Sequence, residues 1–362
     1  MLIKNYMPKF SKTLNFADAI NQALTNCLKK DKNLICYGLG INDPKRIFTT
    51  TKGLVEKFGT KRIFDVPTSE NANTGISIGA SLAGVRSVVT HQRLDFFLLS
   101  MDQLVNSAAK WYYMFDGKKS VPITIRLIIG RGWGQGPTHS QNLQAWFNHI
   151  PGLKVLMPTY ADDAKDLLEA AIYDPNPVIF LEHRWLHYTS IKLSKRKKAK
   201  IGSARICKTG KDITIISMSY LTLEAVKAAD FLKKYYDISC EVIDLRSIKP
   251  LDWKKVFSSI NKTKRVLVLD TGFEDNSVSS EIITKIVDKF YNVLKYKPSR
   301  MGMPNYPEPT SYGLTKKFYI TYEEIIFKIA KIFNKKYNKK YLKNIKKENF
   351  HDIPNKLFKG PF

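Results

Sequence analysis

Acid is what this chain is short of. Asp and Glu number 32 against 59 Lys and Arg, a formal net charge of +27 over 362 residues. Such an excess first points to nucleic acid or an anionic surface. The lysines, however, are spread along the whole chain beside many Ile, Asn and Tyr, a bias of the kind AT-rich codons produce. Two denser runs, residues 192–200 and 335–347, come with no zinc-finger spacing, no RNP-type motif and no basic region leading into heptads. They read as an exposed linker and a solvated tail, not a nucleic-acid arm. Cysteine is scarce too. Cys27, Cys36, Cys207 and Cys240 form no Cys-x-x-Cys pair, which argues against a zinc site or a disulfide framework and suits a reduced, cytoplasmic protein. No apolar run reaches bilayer length, and residues 1–10 lack the apolar region of a signal peptide, so no membrane partner is expected.

What the chain does have is alternation. An amphipathic helix is predicted over residues 14–30, with Phe16, Ile20, Ala23, Leu24, Cys27 and Leu28 on one face. Short apolar, β-rich runs at 34–37, 62–66, 87–90, 122–129, 153–157 and 177–181 read as strands. A helix is expected at 160–173, with Asp162 and Asp163 in its first turn. After a basic linker at 191–204 the pattern resumes: strands at 212–219, 240–245 and 265–270, helices at 222–235, 252–261 and 278–293. Residues 302–312, rich in Pro and Gly, are predicted as a surface loop. Strands buried on both faces and alternating with helices define an α/β protein of two doubly wound domains with mostly parallel sheets. The boundaries fall at residues 1–190 and 205–333, followed by a lysine-rich tail at 334–362.

Residues 62–84 are the most informative stretch. A buried strand stops at Pro67, and Gly75, Gly79, Ala80, Ala83 and Gly84 then recur at helical spacing, leaving the next helix a bare face. One carboxylate, Glu70, stands between strand and helix, where open α/β sheets bind ligands. It either caps the helix or does chemistry. Further along come Phe96-Phe97, then the segment 101–110, then a loop of alternating glycines, Gly130-Arg131-Gly132-Trp133-Gly134-Gln135-Gly136-Pro137-Thr138-His139. A histidine among loop glycines is seldom a packing residue. The loop is no P-loop, since no Gly-Lys-Ser/Thr follows. Residues 151–155, Pro-Gly-Leu-Lys-Val, lead on to residues 174–178, Asp-Pro-Asn-Pro-Val.

With these motifs in order, the chain resembles the β subunit of thiamine-diphosphate-dependent 2-oxoacid dehydrogenases (E1), and more distantly the second half of transketolases. The likeness runs from about residue 15 to residue 332. It implies a pyrimidine-binding domain followed by a transketolase C-terminal-type domain. It places Glu70 on the cofactor-activating glutamate, whose carboxyl holds the aminopyrimidine in the form that can deprotonate the thiazolium carbon. Phe96 falls on the ring that stacks on the pyrimidine, with an ordinary core Phe the alternative. His139 falls on the active-site histidine, while Gly38 and Leu39 lie beside the cofactor. Ile123, Ala171, Ile172, Asp174 and Asn176 match positions where some β subunits hold potassium; a satisfied turn is the other reading. No Gly-Asp-Gly…Asn segment for Mg2+ is found, so the resemblance implies an α subunit supplying it within an α2β2 assembly.

Two segments depart from the family pattern. Residues 38–44, Gly-Leu-Gly-Ile-Asn-Asp-Pro, replace an acidic one, and His91-Gln92-Arg93 replaces a more apolar one, which makes His91 and Arg93 substrate-side candidates. His149, His183 and His187 read as structural. The basic C-terminus would repel a basic docking domain, which weighs against a lipoyl acyltransferase (E2) partner. The expectation is an E1 β subunit decarboxylating a 2-oxo acid and passing the acyl group to lipoamide. The alternatives are a subunit of a split transketolase-like enzyme and a non-catalytic nucleic-acid-binding relative.

Overall fold

Runs with apolar residues on both faces can only be buried between layers, and the computed structural model, which describes residues 13–43, 47–131, 134–192 and 196–336, puts them there. The first half contributes β1 (Thr13–Asn15), β2 (Ile35–Gly38), β3 (Ile63–Asp65), β4 (Ser87–His91), β5 (Ile123–Ile129), β6 (Lys154–Leu156), β7 (Val178–His183) and β8 (Ser190–Lys192). The second contributes β9 (Arg205–Lys208), β10 (Ile213–Ser217), β11 (Cys240–Asp244), β12 (Ser247–Lys249), β13 (Val266–Phe273) and β14 (Ser299–Met303). The large sheet runs β12-β6-β7-β5-β4-β2-β3, and every pair but β12–β6 is parallel. The second sheet runs β14-β13-β10-β11-β9, with only β11–β9 antiparallel. The expected fold class and the six first-domain strands are all present. The amphipathic opening helix spans Phe16–Lys30 and packs on the helix Ala161–Ile172.

Three expectations need correcting. The linker is not free. Ile191 and Lys192 lie in β8, which pairs antiparallel with β1. Arg196 then bridges Asp162, Asp163 and Asp166, while Arg205 and Arg246 also reach Asp163. Three carboxylates in one helical stretch attract the basic segment and dock it. The domain boundary is not clean either, because β12, from the second half, completes the first sheet, and Lys249 donates to the carbonyls of Asn148 (2.7 Å) and Ile150 (2.6 Å). Finally, the segment predicted as a surface loop begins inside β14 and then turns inward, so that Glu308 is only 4% exposed. The tail beyond residue 336 lies outside the described residues.

Candidate active site

Parallel strands β3, β2, β4 and β5 are neighbours, so their carboxyl ends open on one edge of the sheet. Each delivers one part of the expected site. β3 runs into the helix Glu70–Leu82; β2 ends at Gly38; β4 leads to His91, Arg93 and Phe96; β5 leads into the glycine loop with His139. Four segments far apart in sequence thus meet for a topological reason.

Glu70 opens its helix behind Ser69, is 4% exposed, and takes no side-chain hydrogen bond from any described residue. A capping carboxylate would accept nearby backbone N–H groups, and this one does not. Its oxygens are not among the side-chain atoms sealed from solvent without a partner, so a group entering from the sheet edge can reach them. Phe96 and Phe97 divide their roles: Phe97 is fully buried among Leu94, Ile125 and Phe147, whereas Phe96 remains half-buried. The Phe96 ring stands edge-on to His139, centroids 5.3 Å apart and planes at 89°. His139 is exposed, and its Nδ1 lies 3.0 Å from the Thr138 hydroxyl. Gly38 has no room for a side chain, since a Cβ there would sit 2.0 Å from the Thr90 carbonyl oxygen. Beyond it, Asp65 accepts from the backbone of Ile41 (2.7 Å) and Asn42 (3.1 Å), fixing the turn that contains Leu39.

The two departures from the family pattern touch each other. A Cβ on Gly40 would lie 1.9 Å from Gln92 Nε2, so the glycine is what lets the segments meet. His91 is 3% exposed, edge-on to Phe97 at 5.0 Å, and neither ring nitrogen has a hydrogen-bond partner among the described residues. Burial pushes its pKa down to about 4, so the ring is neutral. Arg93 does not reach into open space. It donates to the Gly130 carbonyl (3.0 Å) and to Gln135, so its charge is spent on the glycine loop.

At the five expected potassium positions, protein donors already reach several of the acceptors. Arg86 Nη1 donates to the carbonyls of Ile172 (3.3 Å) and Asp174 (3.4 Å), Lys154 pairs with the Asp174 carboxylate, and the Asn176 N–H is bound by Asp174 Oδ1 (3.0 Å). Ala171's carbonyl accepts from Asp174 N (3.1 Å), and Ile123 is a core residue of β5. A guanidinium thus stands at two of these carbonyls and an ammonium at the Asp174 carboxylate, where they supply the positive charge that an ion would bring.

Sequence reasoning missed what supports the site. Arg126, inside β5, binds Glu182 of β7 through Nε (2.6 Å) and Nη2 (3.0 Å), and His187 Nε2 lies 3.3 Å from the same carboxylate, all three fully buried. The Arg126 guanidinium and His187 hydrogen bond hold Glu182 ionised against burial. Lone charges inside two apolar runs were the available signal. His183 and His187 are buried; His149 is exposed beside Ile150. Cavity size does not mark the site. A cleft of about 610 Å³ lined by Gln144, Trp146, Asp270 and Ser277 lies between the domains, and another of about 840 Å³ adjoins it, but Glu70, Phe96 and His139 line neither. They sit on an open edge.

A parallel sheet with an unpaired acid, a half-covered aromatic ring and a loop histidine at its carboxyl edge, joined to a second α/β unit, defines a two-domain protein of transketolase type. Residues 12–188 match the family described as "Transketolase, pyrimidine binding domain", and residues 202–325 match "Transketolase, C-terminal domain". The chain belongs to the family of pyruvate dehydrogenase E1 component β subunits. It is 37% identical over 341 residues to the mitochondrial "Pyruvate dehydrogenase E1 component subunit beta" of Pisum sativum, covering 91% of this chain and 94% of that one. The corresponding protein of Rhizobium meliloti is 36% identical over 306 residues, 84% of this chain and 66% of that one. Among solved structures, "Split gene transketolase, inactive beta4 tetramer" superposes with a TM-score of 0.74 at 19% identity, covering 90% of this chain and 100% of that one, a likeness of fold.

Proposed function

We propose that this protein is the β subunit of a thiamine-diphosphate-dependent 2-oxoacid dehydrogenase, an oxidoreductase acting on a 2-oxo acid. The observation that carries the reading is Glu70, a largely buried side chain whose carboxylate takes no hydrogen bond from any described residue, at the edge where Phe96 and His139 converge. Such a group fits an aminopyrimidine, whose ring nitrogen would give the acid the hydrogen bond it lacks. When bound, thiamine diphosphate supplies the carbanion that attacks the 2-oxo carbon and stabilises the charge left by CO2. Glu70 holds or returns the proton at its carboxyl oxygen as the ring changes form. Phe96 offers its free face for stacking. Thr138 engages His139 Nδ1, which leaves Nε2 to orient the substrate or move a proton.

The site is half of a whole. Beside it, Ile76 and Leu99 are 62% and 67% exposed, and the elements that bear them pack together, with Asn71 Nδ2 donating to the Leu99 carbonyl at 3.4 Å. A Cβ on Gly79 would meet nothing within 4 Å, so the face of that helix that carries Ile76 is open. That apolar, unobstructed surface suits an α-type subunit, which would close the site, hold the diphosphate through Mg2+ and form an α2β2 tetramer. Acyl transfer to lipoamide on an acyltransferase follows from this reading. No helix among the described residues is long and apolar enough to cross a membrane. The four thiols are free, which suits the reducing cytoplasm proposed here; the pea relative is mitochondrial by name. Likeness to the split transketolase is one of fold and lends that alternative no weight.

The test is reconstitution with the α-type partner, followed by CO2 release from a panel of 2-oxo acids with thiamine diphosphate and Mg2+. Release that needs both chains supports the proposal. A complex that binds the cofactor yet decarboxylates no 2-oxo acid, while transferring ketol units between sugars, would replace it with the transketolase alternative.

A further inference from the structure

The glycine loop is held by more than its own domain. At its start, Arg93 grips the Gly130 carbonyl at 3.0 Å, and a Cβ on Gly130 would fall 2.3 Å from His183 Nε2, so the backbone lies directly on that ring. At its end, Asp95 Oδ1 accepts from Gln141 Nε2 at 2.8 Å. Between them the contacts come from the other domain. Arg131, 1% exposed, donates Nη2 to the Thr310 carbonyl at 3.0 Å and Nη1 to the Pro309 carbonyl. A Cβ on Gly136 would sit 2.1 Å from Thr310 Oγ1. The gripped segment is itself anchored: the Tyr319 hydroxyl donates to buried Glu308 at 2.9 Å, and Tyr319 packs edge-on against Trp185 at 4.9 Å.

We propose that residues 304–312 of the second domain form a positioning element for His139, with Arg131 as the residue through which they act. The inference rests on the reading of His139 as an active-site group. A buried guanidinium bound to two successive carbonyls fixes both direction and distance, because its donors lie in a rigid plane. Three residues before the histidine, Gly136 is the point where only a missing side chain permits the two segments to touch. The arrangement gives the second domain, which adds no side chain to the expected site, a part in the chemistry. It also makes the loop's order depend on how the two domains are docked. Arg131 is buried, with its guanidinium on the Pro309 and Thr310 carbonyls, so its effect is exerted through the loop backbone.

The experiment uses the complex with its α-type partner and reads two things, amide hydrogen exchange over residues 134–141 and steady-state decarboxylation. Arg131→Ala is expected to speed exchange in that segment about tenfold. It should also lower kcat about tenfold to a hundredfold, as small misplacements of a catalytic group do, while thiamine diphosphate affinity stays within about twofold. Arg131→Lys, which can still reach one carbonyl, should recover part of kcat. Exchange and kcat both at the wild-type level in Arg131→Ala would overturn the proposal. Should that variant not fold, Gly136→Ala gives the same reading: it should slow turnover, and adding Thr310→Gly should restore it. A double variant as slow as the single one would also overturn the proposal. His139→Ala is run in parallel. Full turnover there would remove the histidine from the chemistry and with it this proposal, whereas the exchange data report on the grip itself.

Discussion

Phe96 and Phe97 are neighbours in sequence and opposites in environment. Phe97 is wholly buried against Phe147 at 6.1 Å, while Phe96 is turned to the open edge and set perpendicular to His139. A helical turn separates adjacent side chains by about 100°, so only one of the pair can face the core. Phe97→Ala should therefore cost about 3–5 kcal/mol of stability, the usual loss for a large core aromatic. Phe96→Ala should cost about 1 kcal/mol or less while lowering turnover. Urea unfolding and activity measured on both variants check the division.

Acid should weaken the fold through its buried histidines. Burial pushes the pKa values of His91 and His187 from 6.5 down to about 4. The unfolded chain takes up these protons below pH 6.5 and the folded chain does not. The stability tied to neutral rings is thus complete above pH 6.5 and is lost progressively as pH falls toward 4. Between pH 7 and 5 the loss should reach up to about 2 kcal/mol per histidine. His91→Phe should flatten the decline, since neither ring nitrogen has a partner to lose. Denaturant midpoints at pH 7 and pH 5 provide the measurement.

The Arg126–Glu182 pair behaves as a unit. Arg126→Met leaves a fully buried carboxylate supported, among the described residues, by His187 alone and should cost about 3–5 kcal/mol. Adding Glu182→Leu should recover much of that, because the unpaired charge disappears with its partner. Independent, additive losses in a double-mutant cycle would contradict the pairing.

Potassium should not matter to this fold. Arg86 already answers the carbonyls of Ile172 and Asp174. Melting temperatures in KCl, NaCl and choline chloride of equal ionic strength should coincide, while Arg86→Ala should cost about 1 kcal/mol. Selective stabilisation by K+ would show that an ion binds those carbonyls after all.

Most of the fold was legible because it is written in period. β5 and β7 are mostly apolar runs buried along their whole length, and the first helix carries its apolar residues three and four apart. The candidate site residues stood out through resemblance and through oddity, as with Glu70 after a strand and His139 among glycines. What sequence could not show were pairings between distant segments. Nothing local in Ser247–Lys249 says that it closes the first sheet, and nothing in residues 304–312 says that Arg131 will hold them. The contact at the expected potassium positions was hidden for a related reason: Arg86 is far from residues 171–176 in the chain and adjacent in space.

Glu70 decides the account. Glu70→Gln keeps shape and burial but cannot exchange a proton with the cofactor ring. In the reconstituted complex the account predicts an intact assembly with cofactor still bound and decarboxylation reduced at least about a hundredfold, the scale of a lost acid–base group. Turnover in that variant equal to the wild type would contradict it.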